Sequence, residues 1–224
     1  TAILGFGAGT TPEEAKKLSV QIGDTRIRMV YPDMMSVTVE DFEGNATNSL
    51  VDGRYLAAMM AARQLSPNRD VASPWTGTKF VGTNGLARIL DTVEQNDVAS
   101  AGITVMEDRP PFICVRHGLT TDMSSVLMKT PTVIQIADEV QQRARDTLEA
   151  FVGVKFLPGI LSQIEGRVAK MMGELIQAQI VANYTGIRAN VSDDDPTAAE
   201  VEAYYQPVFP LLYIILQFNL RSSL

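Results

Sequence analysis

The sequence predicts a mixed α/β (α+β) domain, a β-sheet flanked by helices, and three observations carry that reading. Two segments, Thr132–Val152 and Ile160–Asn183, place apolar residues at helical spacing. Short apolar runs of strand length lie between turn residues in the first half of the chain. Finally, the 224 residues are 46% hydrophobic and 20% charged, which excludes a disordered polymer. A chain of this length removes roughly 70–75% of its unfolded surface from water on folding. Its mean hydropathy of +0.05 is high for an isolated monomer, so some apolar surface is expected to meet partners.

Thr11-Pro12-Glu13-Glu14 starts a helix, with a capping threonine, a first-turn proline and acids at the positive dipole end. It runs to about Gln21, where Gly23-Asp24 turns the chain. Thr25–Tyr31 alternates Ile27, Met29 and Tyr31 against Arg26, Arg28 and Val30, a half-buried strand that stops at Pro32. Ser36–Phe42 is a second strand and Glu43–Ser49 a polar loop. Leu50–Leu65 reads as a helix whose Gly53 and alanine pairs let another backbone come close. Ser66–Gly85, rich in Pro, Asn, Gly and Ser, reads as a long surface loop that presents Trp75, the only tryptophan, as a contact residue. A helix at Asp91–Ser100 ends at Gly102, and Ile103–Glu107 and Phe112–Arg116 form a hairpin through Asp108–Pro111.

The two long amphipathic helices are separated by Gly153 and Pro158-Gly159 and are expected to pair antiparallel. The last element is Glu202–Leu220. Its core, Val208–Leu216, is apolar on both faces, as in a strand covered on both sides. Pro207 and Pro210 cannot donate to a ladder, so one margin must be an edge or a bend. Thr1 rather than Met opens the chain, which therefore reads as trimmed or as part of a longer polypeptide, while the C-terminus reads as natural.

Nineteen Lys and Arg against 26 Asp and Glu give a net charge of −7, which sets a phosphate backbone or an anionic bilayer at a disadvantage. One cysteine, Cys114, excludes an internal disulfide and a cysteine zinc cage. The longest apolar run is far short of the roughly 20 residues a membrane helix needs, and no secretory signal is visible.

Four features invite chemistry. Gly5-Phe6-Gly7-Ala8-Gly9, with Asp33 after the next strand, has the outline of a dinucleotide loop. Glu13 and Glu14 stand where a pyrophosphate would sit, however, and the preceding strand is nearly absent. Cys114 and His117 could form a nucleophile–base pair, but residues three apart on a strand point to opposite faces. Asp193-Asp194-Asp195 lacks the alternating ligand spacing of a calcium loop and reads as a solvated turn, with Asp195 or Thr197 capping the next element. The ten methionines lie mostly on core stripes, where they pack flexibly. Neither a catalytic site nor a cofactor or metal site is expected.

Interaction is what remains. An extended terminal strand can add to a neighbour's open sheet edge, with main-chain hydrogen bonds giving affinity. The serial order of short motifs points the same way. Val30-Tyr31-Pro32 precedes Val51-Asp52-Gly53-Arg54-Tyr55-Leu56-Ala57-Ala58, then Ala61-Ala62, Ser66-Pro67 and Pro74-Trp75-Thr76-Gly77. Asn96, Ala101-Gly102-Ile103 and Val115-Arg116-His117-Gly118-Leu119-Thr120-Thr121 come next, then the helix pair and the proline-bearing terminal strand. Over Thr25 to Leu224 the chain resembles the C-terminal core domain of contractile phage tail sheath proteins, a core shared with bacterial contractile injection systems.

That resemblance implies a structural subunit, not an enzyme, packed in helical rows of six-fold discs around a tail tube and contracting to drive the tube through the host envelope. It implies a short connector and helix at residues 1–24, a sheath core at 25–200 and an exchanged strand within 201–224. Val208, Phe209, Leu211, Leu212, Tyr213, Ile214, Ile215, Leu216 and Phe218 would supply the strand between subunits. Lys155, Arg167 and Lys170 would face the tube. Implied partners are copies of the chain, the tail tube protein, and the baseplate and tail terminator proteins, with no nucleic acid and no membrane. The implied location is the virion tail, and the host cytoplasm during assembly. The alternatives are another virion or injection-machine subunit of connector or capsid type, and a nucleotide-binding enzyme using Gly5–Gly9.

Overall fold

The chain begins with a strand, β1 (Ala2–Gly5), which leads through the glycine-rich loop into α1 (Pro12–Ile22). That helix returns the chain to β2 (Ile27–Tyr31), parallel to β1 in the register Ala2↔Ile27 to Gly5↔Val30. The first strand is thus present although only four residues long, and the segment before residue 25 is built into the main sheet rather than being a connector. A computed structural model describes residues 1–40, 42–67, 69–157 and 159–212.

Capping fixes α1 as its sequence dictates. Thr11 Oγ1 accepts the Glu14 N–H at 3.3 Å, Glu14 Oε2 accepts the Thr11 N–H at 2.9 Å, and Gly23 closes the far end. Thr11→Ala leaves a first-turn donor unmet and is expected to cost about 1 kcal/mol. Urea melts should show a lower midpoint with an unchanged slope.

β3 (Met34–Glu40) and β4 (Ala46–Asp52) form a hairpin, and α2 (Gly53–Gln64) comes at once with Asp52 as its cap. β4 takes the place of the loop expected at Glu43–Ser49. Its first half, Ala46-Thr47-Asn48-Ser49, is polar because most of the strand is exposed and β3 is its one strand partner among the described residues. β5 (Lys79–Phe80), β6 (Gly85–Leu86), α3 (Thr92–Ser100), β7 (Ile103–Arg109) and β8 (Phe112–His117) complete the first half. The main sheet has the order β1-β2-β7-β8-β5; β1, β2 and β7 run parallel, and β8 and β5 pair antiparallel. A second, three-stranded sheet has the order β4-β3-β6.

Both faces of the main sheet are covered. On one, Met29, Tyr31, Ile103 and Val105 pack with Ala15 of α1 and with Val98 and Ala99 of α3. On the other, Val30, Met106, Ile113 and Val115 pack with Leu56 and Met60 of α2 and with Trp75. β2 is therefore buried on both sides, and Arg28, expected on an open face, is 0% exposed because α2 and the segment after it lie over it.

The second half forms its own layer. A short α4 (Val126–Lys129) precedes α5 (Pro131–Leu148), a 3₁₀ turn at Glu149–Phe151, and then α6 (Ile160–Gln177). β9 (Val181–Val191) and β10 (Ala199–Pro207) make a two-stranded antiparallel sheet. Ile136, Val140, Val168, Met171, Met172 and Leu175 from the helix pair close on Ile180 and Val181, with Tyr184, Ile187, Val201 and Tyr205 against them.

Two boundaries in this half differ most from the sequence expectation. The helix expected to reach Asn183 stops at Gln177, where the Gln179 N–H bonds Ile176 O and the Ile180 N–H bonds Leu175 O. This is a Schellman ending, and its left-handed position is held by Gln179 at φ 57° instead of the usual glycine. The described residues place a strand at Ala199–Pro207, earlier than the one expected to centre on Val208–Leu216. Val208, Phe209, Leu211 and Leu212 come after it outside any strand, and Tyr213, Ile214, Ile215, Leu216 and Phe218 lie outside the described residues. The residue 200/201 division falls inside β10.

Candidate functional site

The residues that invited chemistry are engaged in structural work. Cys114 is buried in β8, and burial pushes its thiol up from the ordinary value. His117 Nε2 lies 3.2 Å from Asn96 Oδ1, and burial, reinforced by the Arg116 charge, pulls the imidazole down from its usual range. Asp195 Oδ1 accepts the Thr197 hydroxyl at 2.7 Å and the Thr197 N–H at 2.8 Å; those bonds, side chain first, hold its carboxyl below the usual range. Among the described residues, no group of three or more His, Cys, Asp or Glu could hold a metal ion, and no helix is long and apolar enough to cross a membrane.

The glycine-rich loop is explained by packing. A Cβ on Gly5 would stand 1.9 Å from Gly53 O, and one on Gly53 would stand 2.8 Å from Phe6 O, so the loop admits the start of α2 at backbone distance. Asp33, the acid that completed the dinucleotide-loop outline, is 1% exposed. Its Oδ2 accepts the Gly9 N–H at 2.8 Å, and its Oδ1 is 3.1 Å from Arg88 Nε.

Trp75, expected on a contact loop, is 1% exposed and so offers no surface to a partner. The guanidinium groups of Arg28 and Arg69 lie 4.3 and 4.0 Å from its ring centroid, and its Nε1 donates to Gln135 Oε1 at 3.3 Å. Arg69 Nη1 donates to the same oxygen at 2.8 Å. Burial pulls the Arg28 guanidinium down to about 9, with the Arg69 charge adding to the effect. The segment after α2 thus folds inward and joins the main sheet to α5.

The surface best suited to contact is the β9–β10 hairpin. The inner side, with Tyr184, Ile187, Val201 and Tyr205, rests on the helix pair. The outer side is polar, carrying Asn183, Thr185, Arg188 and Asn190 on β9 and Glu200, Glu202, Tyr204 and Gln206 on β10. Among the described residues neither outer edge pairs with a third strand. A groove of about 310 Å³ runs beside the start of β10, lined by Leu148, Phe151, Val154, Phe156, Ala199 and Val201. Close by, Val152 is 82% exposed. Burial, with a further contribution from Asp138, pushes the Tyr205 hydroxyl above its ordinary value. At the far end the Val208 N–H bonds Ile180 O at 3.2 Å, and the apolar C-terminal segment leaves from there with Phe209 and Leu211 exposed.

Lys155 stands exposed in the link between α5 and α6, and Arg167 and Lys170 are exposed on α6, Lys170 with Glu174 at 4.0 Å. No residue of β9 stands out in the sequence, although the strand supplies half of this surface. Its alternation is broken by the irregularity opposite Glu202 and Tyr204, which hides the period of two.

Among the described residues, then, a mixed α/β body carries a two-stranded hairpin with unpaired edges, and apolar sequence follows it. The comparisons point to one class. Over 99% of its length the chain is 25% identical to the tail sheath protein of Mycobacterium phage Bxz1, and it spans 38% of that protein. The sheath complex of the extracellular contractile injection system PVC, in its contracted state, matches with a TM-score of 0.73 at 15% identity, over 99% of this chain and 64% of that one. The crystal structure of the sheath tail protein from Desulfitobacterium hafniense matches with a TM-score of 0.69 at 13% identity, over 94% and 54%. No family model matches. The chain has the sheath-protein core fold and is similar in sequence to a phage tail sheath protein.

Proposed function

We propose that this chain is the polymerising core of a contractile tail sheath subunit, and that copies are linked by strands shared at the β9–β10 hairpin. The observation that carries the reading is a two-stranded sheet with no third strand beside it among the described residues, followed by apolar sequence. Main-chain hydrogen bonds at such an edge hold subunits together while allowing their bodies to rotate. The segment after Pro207 is the donated arm. Its apolar residues gain in a neighbour the cover they lack at Phe209 and Leu211.

Contraction is a repacking of rigid bodies from a metastable lattice, which needs no catalytic or nucleotide chemistry in this domain. Lys155, Arg167 and Lys170 face the tail tube, where charges at an interface rim set register and salt sensitivity more than affinity. The assembled sheath meets the baseplate and terminator and belongs to the tail of the particle, after assembly in the host cytoplasm.

Negative-stain images test this directly. The chain is expected to form helical tubes with a wide lumen. Removal of Val208–Leu224 is expected to leave a folded, soluble subunit by circular dichroism that forms none. Tubes from the truncated chain would overturn the tether, and closed rings or shells from the intact chain would overturn the sheath reading.

A further inference from the structure

Asn84-Gly85 is the one Asn-Gly pair in the chain, and each of the other seven asparagines is followed by a residue that carries a side chain. An asparagine before glycine is prone to cyclise, because no side chain screens the next backbone nitrogen from the carboxamide. Here the fold requires that glycine. Gly85 has φ +117°, a conformation that residues with a Cβ rarely adopt, and a Cβ there would stand 2.5 Å from Asp108 Oδ2. The same carboxylate oxygen accepts the Leu86 N–H at 3.3 Å. The labile pair therefore cannot be relieved by exchanging its second residue.

Asn84 is exposed and stands directly before β6. Its Nδ2 donates to Thr38 Oγ1 and to Asn48 Oδ1, both at 2.8 Å. Thr38 and Asn48 are register partners in the β3–β4 hairpin, so one carboxamide laces the entrance of β6 to both other strands of this sheet. The backbone is held there as well. The Asn84 N–H bonds Ser36 O at 2.9 Å, and the Ala87 N–H bonds Met34 O at 3.2 Å.

We propose that Asn84 is a site of spontaneous deamidation, and that Thr38 and Asn48 form the latch that slows it. In the reaction the Gly85 nitrogen attacks Asn84 Cγ. A C–N bond forms, the Cγ–Nδ2 bond breaks, and Nδ2 leaves as ammonia with the proton from Gly85. Water, the other reactant, then opens the cyclic imide to aspartate or isoaspartate. Nδ2 cannot depart while it donates to Thr38 and Asn48, so both bonds must be given up along the path. Either product lacks the N–H groups that lace the three strands. Isoaspartate also lengthens the backbone ahead of β6, which shifts that two-residue strand against Met35 and Ser36. The change is irreversible and needs no enzyme, so it records how long the folded chain has stood.

Mass spectrometry of the folded chain, incubated at mildly alkaline pH, tests both parts. Tryptic cleavage after Lys79 and Arg88 releases residues 80–88, whose conversion is read against synthetic standards with aspartate or isoaspartate at position 84. Conversion is expected to be fastest in the free 80–88 peptide and slowest in the wild-type chain. Thr38→Val should react roughly three- to tenfold faster than wild type, the effect of about one hydrogen bond on a barrier. Thr38→Ser keeps the hydroxyl and should react as the wild type does. Thr11→Ala, which weakens the fold away from this site, should also leave the rate unchanged. A wild-type rate equal to the peptide's, or a Thr38→Val rate equal to the wild type's, would overturn the latch. Equal acceleration by Thr11→Ala and Thr38→Val would overturn it too, since conversion would then follow opening of the whole fold. Conversion at Asn84 no greater than at the other asparagines, in wild type and Thr38→Val alike, would overturn the site itself.

Discussion

Trp75→Ala is expected to lower the stability of the fold by about 3–5 kcal/mol, the range for deleting a large buried aromatic side chain. The loss exceeds a cavity. The indole ring centroid lies 4.3 and 4.0 Å from two guanidinium groups, and such a contact is worth about 2 kcal/mol when desolvated. Among the described residues Arg28 Nε and Nη1 have no hydrogen-bond partner, and Gln64 takes Nη2, so the ring is the main compensation there for that buried charge. For a domain of this size the melting temperature should fall by roughly 6–20 °C. Trp75→Phe keeps a ring between the arginines but loses the bond to Gln135, and should retain part of the stability. Thermal melts by far-ultraviolet circular dichroism check both; a Trp75→Ala protein melting with the wild type would refute the inward placement of this segment.

The junction between the glycine-rich loop and α2 gives the second large effect. In Gly5→Ala the new methyl would stand 1.9 Å from Gly53 O and 2.5 Å from Arg54 N, and both obstacles are backbone atoms that cannot rotate aside. The start of α2 must then leave the loop, with loss of the Gly53 N–H bond to Asp33 O, which is 2.6 Å long. A cost of about 3 kcal/mol or more is expected, at or beyond the upper end for overpacking. Gly7→Ala supplies the control, because a Cβ there meets nothing within 4 Å and should be close to neutral. Equal melting temperatures for the two variants would show that the loop and helix do not meet as described.

Local signals in the sequence carried much of the first half and both long helices. Thr11-Pro12 and Gly23 bound α1, Asp91 and Gly102 bracket α3, and the apolar stripes locate α5 and α6. The failures share one cause, which is that a distant partner decided the outcome. Proline, glycine and serine around Trp75 describe a loop, but nothing nearby announces that Arg28, Arg69 and Gln135 will enclose it. Gln179 in a left-handed conformation ends α6 without the glycine that would have marked the stop. β4 and the outer side of β9 are polar because each leaves one side open, so neither stands out by hydrophobicity. The apolar end of the chain is plain in the sequence, but the hairpin proposed as the contact surface is not, since Glu165 of α6 and Ala189 of β9 meet only once the two are folded together.

If copies share strands at the β9–β10 hairpin as proposed, its backbone edges, unpaired among the described residues, bear on how such a chain can vary. A join made of amide and carbonyl groups draws on atoms common to every residue, so a substitution in the donor need not be answered by one in the receiver. In that arrangement, lineages could drift apart at the seam without having to rematch its two halves.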